Sequence, residues 1–298
     1  MSDTNINFTI NNNDNMRIDL FLVERLETVS RSEIQKQIKA HKILVNNNVV
    51  SCKYVLLDGD VVEGKLEDKV VIDKAQKVEF EIVFEDEHLI IINKPVNLVI
   101  HPGAGNREFT LLNGLLDHHE QAKTMPRAGI VHRLDKNTSG LMVVAKNETT
   151  QNLLIELIKN KDILRQYCAI VKGAIPFAIV QINQPIGRHN NQRTKMAVTE
   201  QGKEAISNIL WRTNHKSYSE VGIGLQTGRT HQIRVHLSHL GYPIIGDEVY
   251  GNSHPLMKRQ ALHSNKLSFV HPITKENLSF TKEPPEDYME LKNAIWNN

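Results

Sequence analysis

The sequence predicts an α+β protein: a small N-terminal module of helices and a hairpin, then a mixed, mainly antiparallel β-sheet domain with flanking helices and a central cleft. Three observations point there. The 298 residues exceed what one hydrophobic core fills at about 100–200 residues per domain. After residue 77, strand-like alternation and helical periodicity are irregularly mixed, whereas strict strand–helix alternation would predict a doubly wound parallel sheet. The charged stretch KLEDKVVIDKAQK has little periodicity and reads as a linker over residues 65–77.

Residues 1–15, MSDTNINFTINNNDN, are polar and Asn-rich, with neither a basic start nor an apolar run. They are expected to form a disordered tail rather than a signal peptide. Residues 16–64 read as a separate module. Leu20, Phe21, Val23 and Leu26 recur at helical spacing, Ser30 stands where it would cap a second helix through Ile34 and Ile38, and ILVNNNVV reads as a hairpin around an Asn turn. The larger domain, 78–298, shows strand-like runs at Val78–Phe84, Leu89–Asn93, Leu141–Ala145, Gln166–Val171, Ser219–Gln226 and Leu262–Phe269. Helices are expected near 110–119, 147–160 and 230–240. In the last, Thr230 is placed to cap a stripe of Ile233, Leu237 and Leu240, with Gly241 at its end and Pro243 beyond. There is no internal repeat.

Composition excludes several classes. Hydrophobic residues are 40% of the chain, yet no apolar run approaches the ~18 residues that a bilayer span needs, so no membrane partner is expected. Cys52 and Cys168 form no CxxC pair, which argues against a zinc site and a secreted disulfide scaffold and suits a reducing cytoplasm. GIGLQTG has the wrong glycine spacing for a dinucleotide fingerprint and no GK[ST] loop exists, so no nucleotide cofactor is expected. Net charge is only +2, but from Arg31 to Lys53 five basic residues stand against the single acid Glu33. That density suits phosphates, although a solvated helix face would look the same.

The richest chemistry lies in RAGIVHRLDKNTSGLMVVAKN, where apolar runs at Gly129–Val131 and Leu141–Ala145 bracket a polar excursion. Such a loop, held between strands, puts His132, Arg133, Asp135 and Lys136 at a cleft edge on rigid supports. The same residues would also make an ordinary surface turn with a salt bridge.

HRLDKNTSGLMVVAK resembles the signature segment of the pseudouridine synthases that act on large-subunit ribosomal RNA. The likeness continues through VFEDEHLIIINKPVNLVIHPG, LRQYCAIVKG, INQPIGRHNNQRTKMAV, LQTGRTHQIRVHL and GYPIIGDEVYG. The N-terminal module is similar to a small RNA-binding module shared by a small-subunit ribosomal protein, tyrosyl-tRNA synthetases and several RNA-modifying enzymes. In that module the second helix and the following turn face RNA phosphates, which implies this role for Arg31, Lys36, Lys39 and Lys42. Family members often carry Gly before the hairpin, where this chain has His41 and Lys42.

The resemblance implies a cofactor-free isomerisation of uridine to pseudouridine in which Asp135 is the essential carboxylate. The ribose C1′–N1 bond must break, the uracil must turn, and the bond must re-form at C5. Asp135 would either attack covalently or act as a base at the ribose. Both routes need an ionised carboxylate in a secluded pocket, where a fixed cation offsets the effect of burial. Arg234 matches the family arginine that pairs with that aspartate. Tyr167 matches the tyrosine that packs on the target base and whose hydroxyl assists at C5; read alone, it would be an ordinary core residue of a strand. Arg133 matches the residue that helps extrude the target nucleotide. Lys136, Arg188, Arg193, Lys195 and Arg229 are expected to line an RNA channel.

The rivals lack support in the residues. His231, His236 and His239 have no i,i+4 pair and no accompanying carboxylate, so no metal site is expected. The HxE-plus-PCxxC pair of zinc deaminases is absent. A glycosidase would want a second paired carboxylate, for which Asp247 is available. A non-catalytic rRNA-binding assembly factor would have shed Asp135, Tyr167 or Arg234, and all three are present. PRAGIVHRLDK, HPGAGN and INQPIGRHNNQRTKMAV look most like the type that modifies the stem-loop at the bridge between ribosomal subunits. Sister enzymes acting on other rRNA or tRNA uridines share the catalytic motifs. A monomer acting on large-subunit rRNA or its precursor is expected.

Overall fold

Residues 4–9, near the start of the chain, already form a strand of a folded sheet. The structure, a computed structural model, describes residues 4–11, 16–26, 29, 31–66, 74–103, 105–192 and 195–297. It divides into two compact units, 1–72 and 73–298.

The smaller unit contains β1 (Thr4–Thr9), α1 (Ile18–Arg25), α2 (Arg31–Lys39), β2 (Ile43–Val45) and β3 (Val61–Leu66), with sheet order β1-β3-β2. The expected tail therefore includes a strand. Ile6 and Phe8 alternate with asparagines, and Ile6, with Ile10 just past the strand, joins the buried core as β1 pairs antiparallel with β3. The expected hairpin is also corrected. Asn46 and Asn47 both take positive φ, at 50° and 63°, and make the tight turn, but β2 pairs with β3 rather than with Val49 and Val50. Asp60 fixes that pairing by accepting from Asn46 Nδ2 at 2.7 Å and Leu57 N–H at 2.9 Å. In α1 the buried face is Ile18, Phe21 and Leu22, whereas Leu20 is exposed. Ser30, expected as the cap of α2, lies outside the described residues. His41, just before β2, adopts φ 60°, the left-handed region that glycine enters without cost.

The linker is narrower than expected. Lys65 and Leu66 pair with Asn5 and Thr4 in the sheet. At the other end, Asn113 Nδ2 donates to Lys74 O and Gln76 N–H donates to Asn113 O, tying residues 74–76 to the larger unit. Between them, residues 67–73 lie outside those described.

The larger unit is built on a sheet of β4 (Glu81–Glu85), β5 (Leu89–Lys94), β6 (Ser139–Ala145), β7 (Leu164–Lys172), β8 (Gln181–Asn183), β11 (Ile206–His215), β12 (Tyr218–Leu225), β13 (Leu262–Val270) and β14 (Asn277–Thr281). The order is β4-β5-β6-β13-β7-β12-β11-β8, with β14 beside β13. Only β6–β13 is parallel among these pairings. A ribbon of β9 (Ile186–Arg188) and β10 (Met196–Val198) stands apart from it. The helices are α3 (Leu111–His118), α4 (Glu148–Lys159), α5 (Gln232–His239) and α6 (Glu286–Trp296). The unbroken apolar runs of β5 and β6 follow from burial on both faces: Met142 and Val144 enter one core, Leu141, Val143 and Ala145 the other. Thr110 and Asn113 form a reciprocal capping box on α3, and Asn147 caps α4. No helix among the described residues is long and apolar enough to cross a membrane.

Candidate active site

The loop 130–138 enters β6 and is pinned from below. Lys94, fully buried at the end of β5, donates to Lys136 O at 3.1 Å as well as to Pro95 O and Leu98 O. Burial draws its pKa down to about 7, with Asp135 pulling upward and Arg259 downward. Arg259 donates to Asn137 O at 3.2 Å, and Gln260 Nε2 to Thr138 Oγ1 at 3.0 Å. At the strand entry, Gly140 has φ 116°, and a Cβ there would strike the Ser264 backbone of β13. Only glycine permits this close parallel approach. The loop's hydrogen bonds are thus met by rigid neighbours, which holds Asp135 in place.

Asp135 Oδ2 accepts from Arg234 Nη1 at 2.9 Å. Arg234, 5% exposed on α5, also donates to both oxygens of Asp247, from Nε at 2.7 Å and Nη2 at 2.9 Å. Burial opposes the Arg234 charge, but the Asp247 hydrogen bonds and charge, then Asp135, outweigh it and hold the guanidinium well above its ordinary pKa. Its Cζ also lies 5.0 Å from the centre of the Tyr250 ring. The Tyr250 hydroxyl meets His231 Nδ1 at 2.8 Å, and His231 Nε2 is 3.9 Å from Asp135 Oδ1.

Thr230 does not cap α5. His231 occupies the cap position in a left-handed conformation, φ 57°, without a side-chain hydrogen bond. Instead Gln232 Oε1 accepts from Arg229 N–H and Thr227 Oγ1, while its Nε2 donates to Ile206 O and Ser207 Oγ. The glutamine thereby locks the TGRT loop against β11. Gly241, φ 85°, ends the helix as expected.

Asp135, Tyr167 and Arg234 come together on the wall of a cleft of about 560 Å³. A second hollow of about 580 Å³ also has Asp135 in its wall, with Arg133, Lys136 and Lys258 among the other residues. Tyr167 is 5% exposed, and burial raises its pKa although Arg165 and Ser264 oppose this, so the phenol is neutral. His132 is held down to about 3 by burial and by Arg165, and its Nε2 accepts from Val143 N–H at 3.1 Å. The imidazole is therefore neutral and serves the strand.

Of the expected RNA-binding residues, Arg133 and Lys136 are exposed at the clefts, and Arg229 lines the first while its Nε donates to Glu204 O. Arg188 and Lys195 belong to the β9–β10 ribbon and its approach and line neither cleft. Arg193 lies outside the described residues. In the smaller unit, Arg31 donates to buried Asp19 through Nε and Nη2, Lys36 lies 3.8 Å from Glu33, and Lys39 and Lys42 are exposed. His236 is buried between Ser207 Oγ and Gln184 O, so its ring serves packing. Asp247 is not available as a second acid: Arg234 and the N–H groups of Val249 and Tyr250 occupy its oxygens. Its partnership with Arg234, the Lys94 anchor and buried Arg165 were not singled out from the sequence. For Lys94 a signal existed, a lone lysine at the end of the apolar LIII run.

A family model described as RNA pseudouridylate synthase matches residues 88–239, and an S4 domain model matches residues 16–62. Ribosomal large subunit pseudouridine synthase D of Buchnera aphidicola subsp. Acyrthosiphon pisum is 42% identical over 291 residues, covering 92% of this chain and 93% of that protein. The protein of the same name from Vibrio cholerae is 40% identical over 296 residues, covering 94% and 91%. Among solved structures, Human RNA Pseudouridylate Synthase Domain Containing 1 superposes with a TM-score of 0.55 at 27% identity, over 70% of this chain and 84% of that one. With the aspartate, arginine and tyrosine gathered in one cleft and relatives matching over nearly their full length, the chain belongs to the RNA pseudouridylate synthase family and carries an S4 domain ahead of its catalytic domain.

Proposed function

We propose that this enzyme isomerises specific uridines of large-subunit ribosomal RNA, in the stem-loop at the inter-subunit bridge, with Asp135 as the catalytic carboxylate. The observation that carries the chemical part is the Asp135–Arg234 pair, 2.9 Å apart in a cleft that Tyr167 also lines. The target rests on two supports: relatives about 40% identical over most of their length bear the name of a large-subunit enzyme, and the motif stretches resemble the bridge-directed type.

A uridine turned out of its stack enters the cleft with its base against Tyr167, and Arg133 fills the gap it leaves. Asp135, paired with Arg234, either bonds to the nucleotide and is released as the new bond forms, or removes a ribose proton as C1′–N1 breaks and returns it once C5 has joined C1′. The uracil turns, C5 joins C1′, the C5 proton leaves, and N1 takes up a proton, so the product is an isomer with no redox change. Arg31, Lys36, Lys39 and Lys42 of the S4 domain, with Lys136, Arg188, Arg193, Lys195 and Arg229, contact phosphates. The enzyme acts as a monomer in the cytoplasm.

Pseudouridine mapping of large-subunit rRNA from cells lacking the gene tests the target. Loss of specific pseudouridines, restored by the wild-type gene, is the expected result. An unchanged rRNA map would remove this substrate and move the search to transfer RNA.

A further inference from the structure

The described residues of the catalytic unit include three buried arginines, and two are fully engaged. Arg234 holds Asp135 and Asp247, while Arg259 holds both oxygens of Asp287 and three backbone carbonyls. The third is Arg165, 4% exposed, whose buried Nε has no hydrogen-bond partner and whose guanidinium pairs with no carboxylate among the described residues. An unpaired buried cation is costly, so a chain keeps one where a ligand supplies the anion.

Arg165 sits on β7 two residues before Tyr167. Both side chains leave the same face of the strand, about 7 Å apart along it. Both line the Asp135 cleft, whose lining holds seven lysines and arginines against only Asp135 and Glu204 as acids. Facing Arg165 is Gly228, where a Cβ would stand 3.1 Å from Nη1; lacking one, the loop leaves that nitrogen approachable.

We propose that Arg165 is the subsite for an RNA phosphodiester flanking the target uridine, fixing the nucleotide's backbone while Tyr167 meets its base. The phosphodiester is the only anion that RNA offers, and a guanidinium can grip two of its oxygens at once. The proposal rests on the reading that the target uridine occupies the Asp135 cleft.

The test uses full-length protein and a large-subunit rRNA transcript. Binding is measured over a salt series for Asp135→Asn alone and combined with Arg165→Met or Arg165→Lys, with turnover followed in the corresponding single variants. Arg165→Met should weaken binding roughly 10- to 100-fold and make the slope of log affinity against log salt shallower by about 0.7–0.9. Arg165→Lys, which keeps the charge, should retain the slope and recover part of the affinity, a pattern that lost packing would not produce. Wild-type affinity and slope in a stably folded Arg165→Met protein would overturn the proposal, as would equal slopes and equal losses in both variants. Turnover retained by Asp135→Asn would instead overturn the reading beneath it, and so is distinguishable from failure at Arg165.

Discussion

Arg234 clamps Asp247 at two points, Nε to Oδ2 at 2.7 Å and Nη2 to Oδ1 at 2.9 Å, which leaves Nη1 directed at Asp135. The clamp fixes the guanidinium plane before any substrate arrives, and Asp247 is itself fixed by two backbone N–H groups. On the proposed reading, Asp247 is therefore a positioning residue for the Asp135–Arg234 pair. Asp247→Asn keeps the shape but loses the charge and one acceptor. Turnover should fall by roughly 10²-fold, because small displacements of a catalytic group cost that much, while RNA affinity stays within about twofold. An equal loss in affinity and turnover, measured by RNA binding and single-turnover kinetics, would assign Asp247 to substrate binding instead.

Tyr167 separates ring from hydroxyl. Tyr167→Phe should bind the rRNA transcript as wild type does, because stacking survives, whereas Tyr167→Ala should lose about 1–3 kcal/mol of binding. If the hydroxyl assists at C5, Tyr167→Phe turns over roughly 10²-fold more slowly. Wild-type turnover in Tyr167→Phe would restrict the residue to stacking.

Lys94 is the anchor beneath the Asp135 loop. Lys94→Met strands three carbonyls, those of Pro95, Leu98 and Lys136, and should destabilise the protein by about 2–4 kcal/mol in urea unfolding. The surviving folded fraction should show a reduced kcat with little change in KM, since the lysine touches the loop and not the RNA. A variant as stable and active as wild type would show that the loop holds itself.

The acid side of the stability curve should carry the signature of His132. Its folded pKa, about 3, lies below the ordinary 6.5, so between these values the unfolded chain binds a proton that the folded one does not. Stability is then full above pH 6.5 and falls as the pH drops toward 3, by up to about 1.4 kcal/mol per pH unit. His132→Asn should make that decline shallower by nearly one proton in urea unfolding over the same window. His101 and His263, both lowered to about 4 chiefly by burial, should retain the remaining slope. An unchanged slope would mean that His132 is protonated in the folded protein.

Much of this architecture was legible where the information is local. LIII and LMVVA announce strands buried on both faces, and the spacing of apolar residues in α4 and α5 announces their helices. What escaped depends on distant partners. β1 is one-third asparagine and is a strand because β3, more than fifty residues later, pairs with it. β11 mixes polar and apolar residues and is held by β12 and β8. In α6, Tyr288 and Leu291 find their core only in the folded chain. At the site, the motif likeness brought Asp135, Tyr167 and Arg234 forward, and they share a cleft. The Asp247 clamp and the unpaired state of Arg165 are facts of three-dimensional pairing that no short motif encodes.

The decisive measurement is pseudouridine formation in a large-subunit rRNA transcript by purified wild-type and Asp135→Asn protein, with RNA binding followed alongside. Asp135→Asn should bind the RNA and form no pseudouridine, while the wild type modifies specific uridines. Pseudouridine formed by Asp135→Asn at the wild-type rate would contradict the assignment of Asp135 as the catalytic carboxylate.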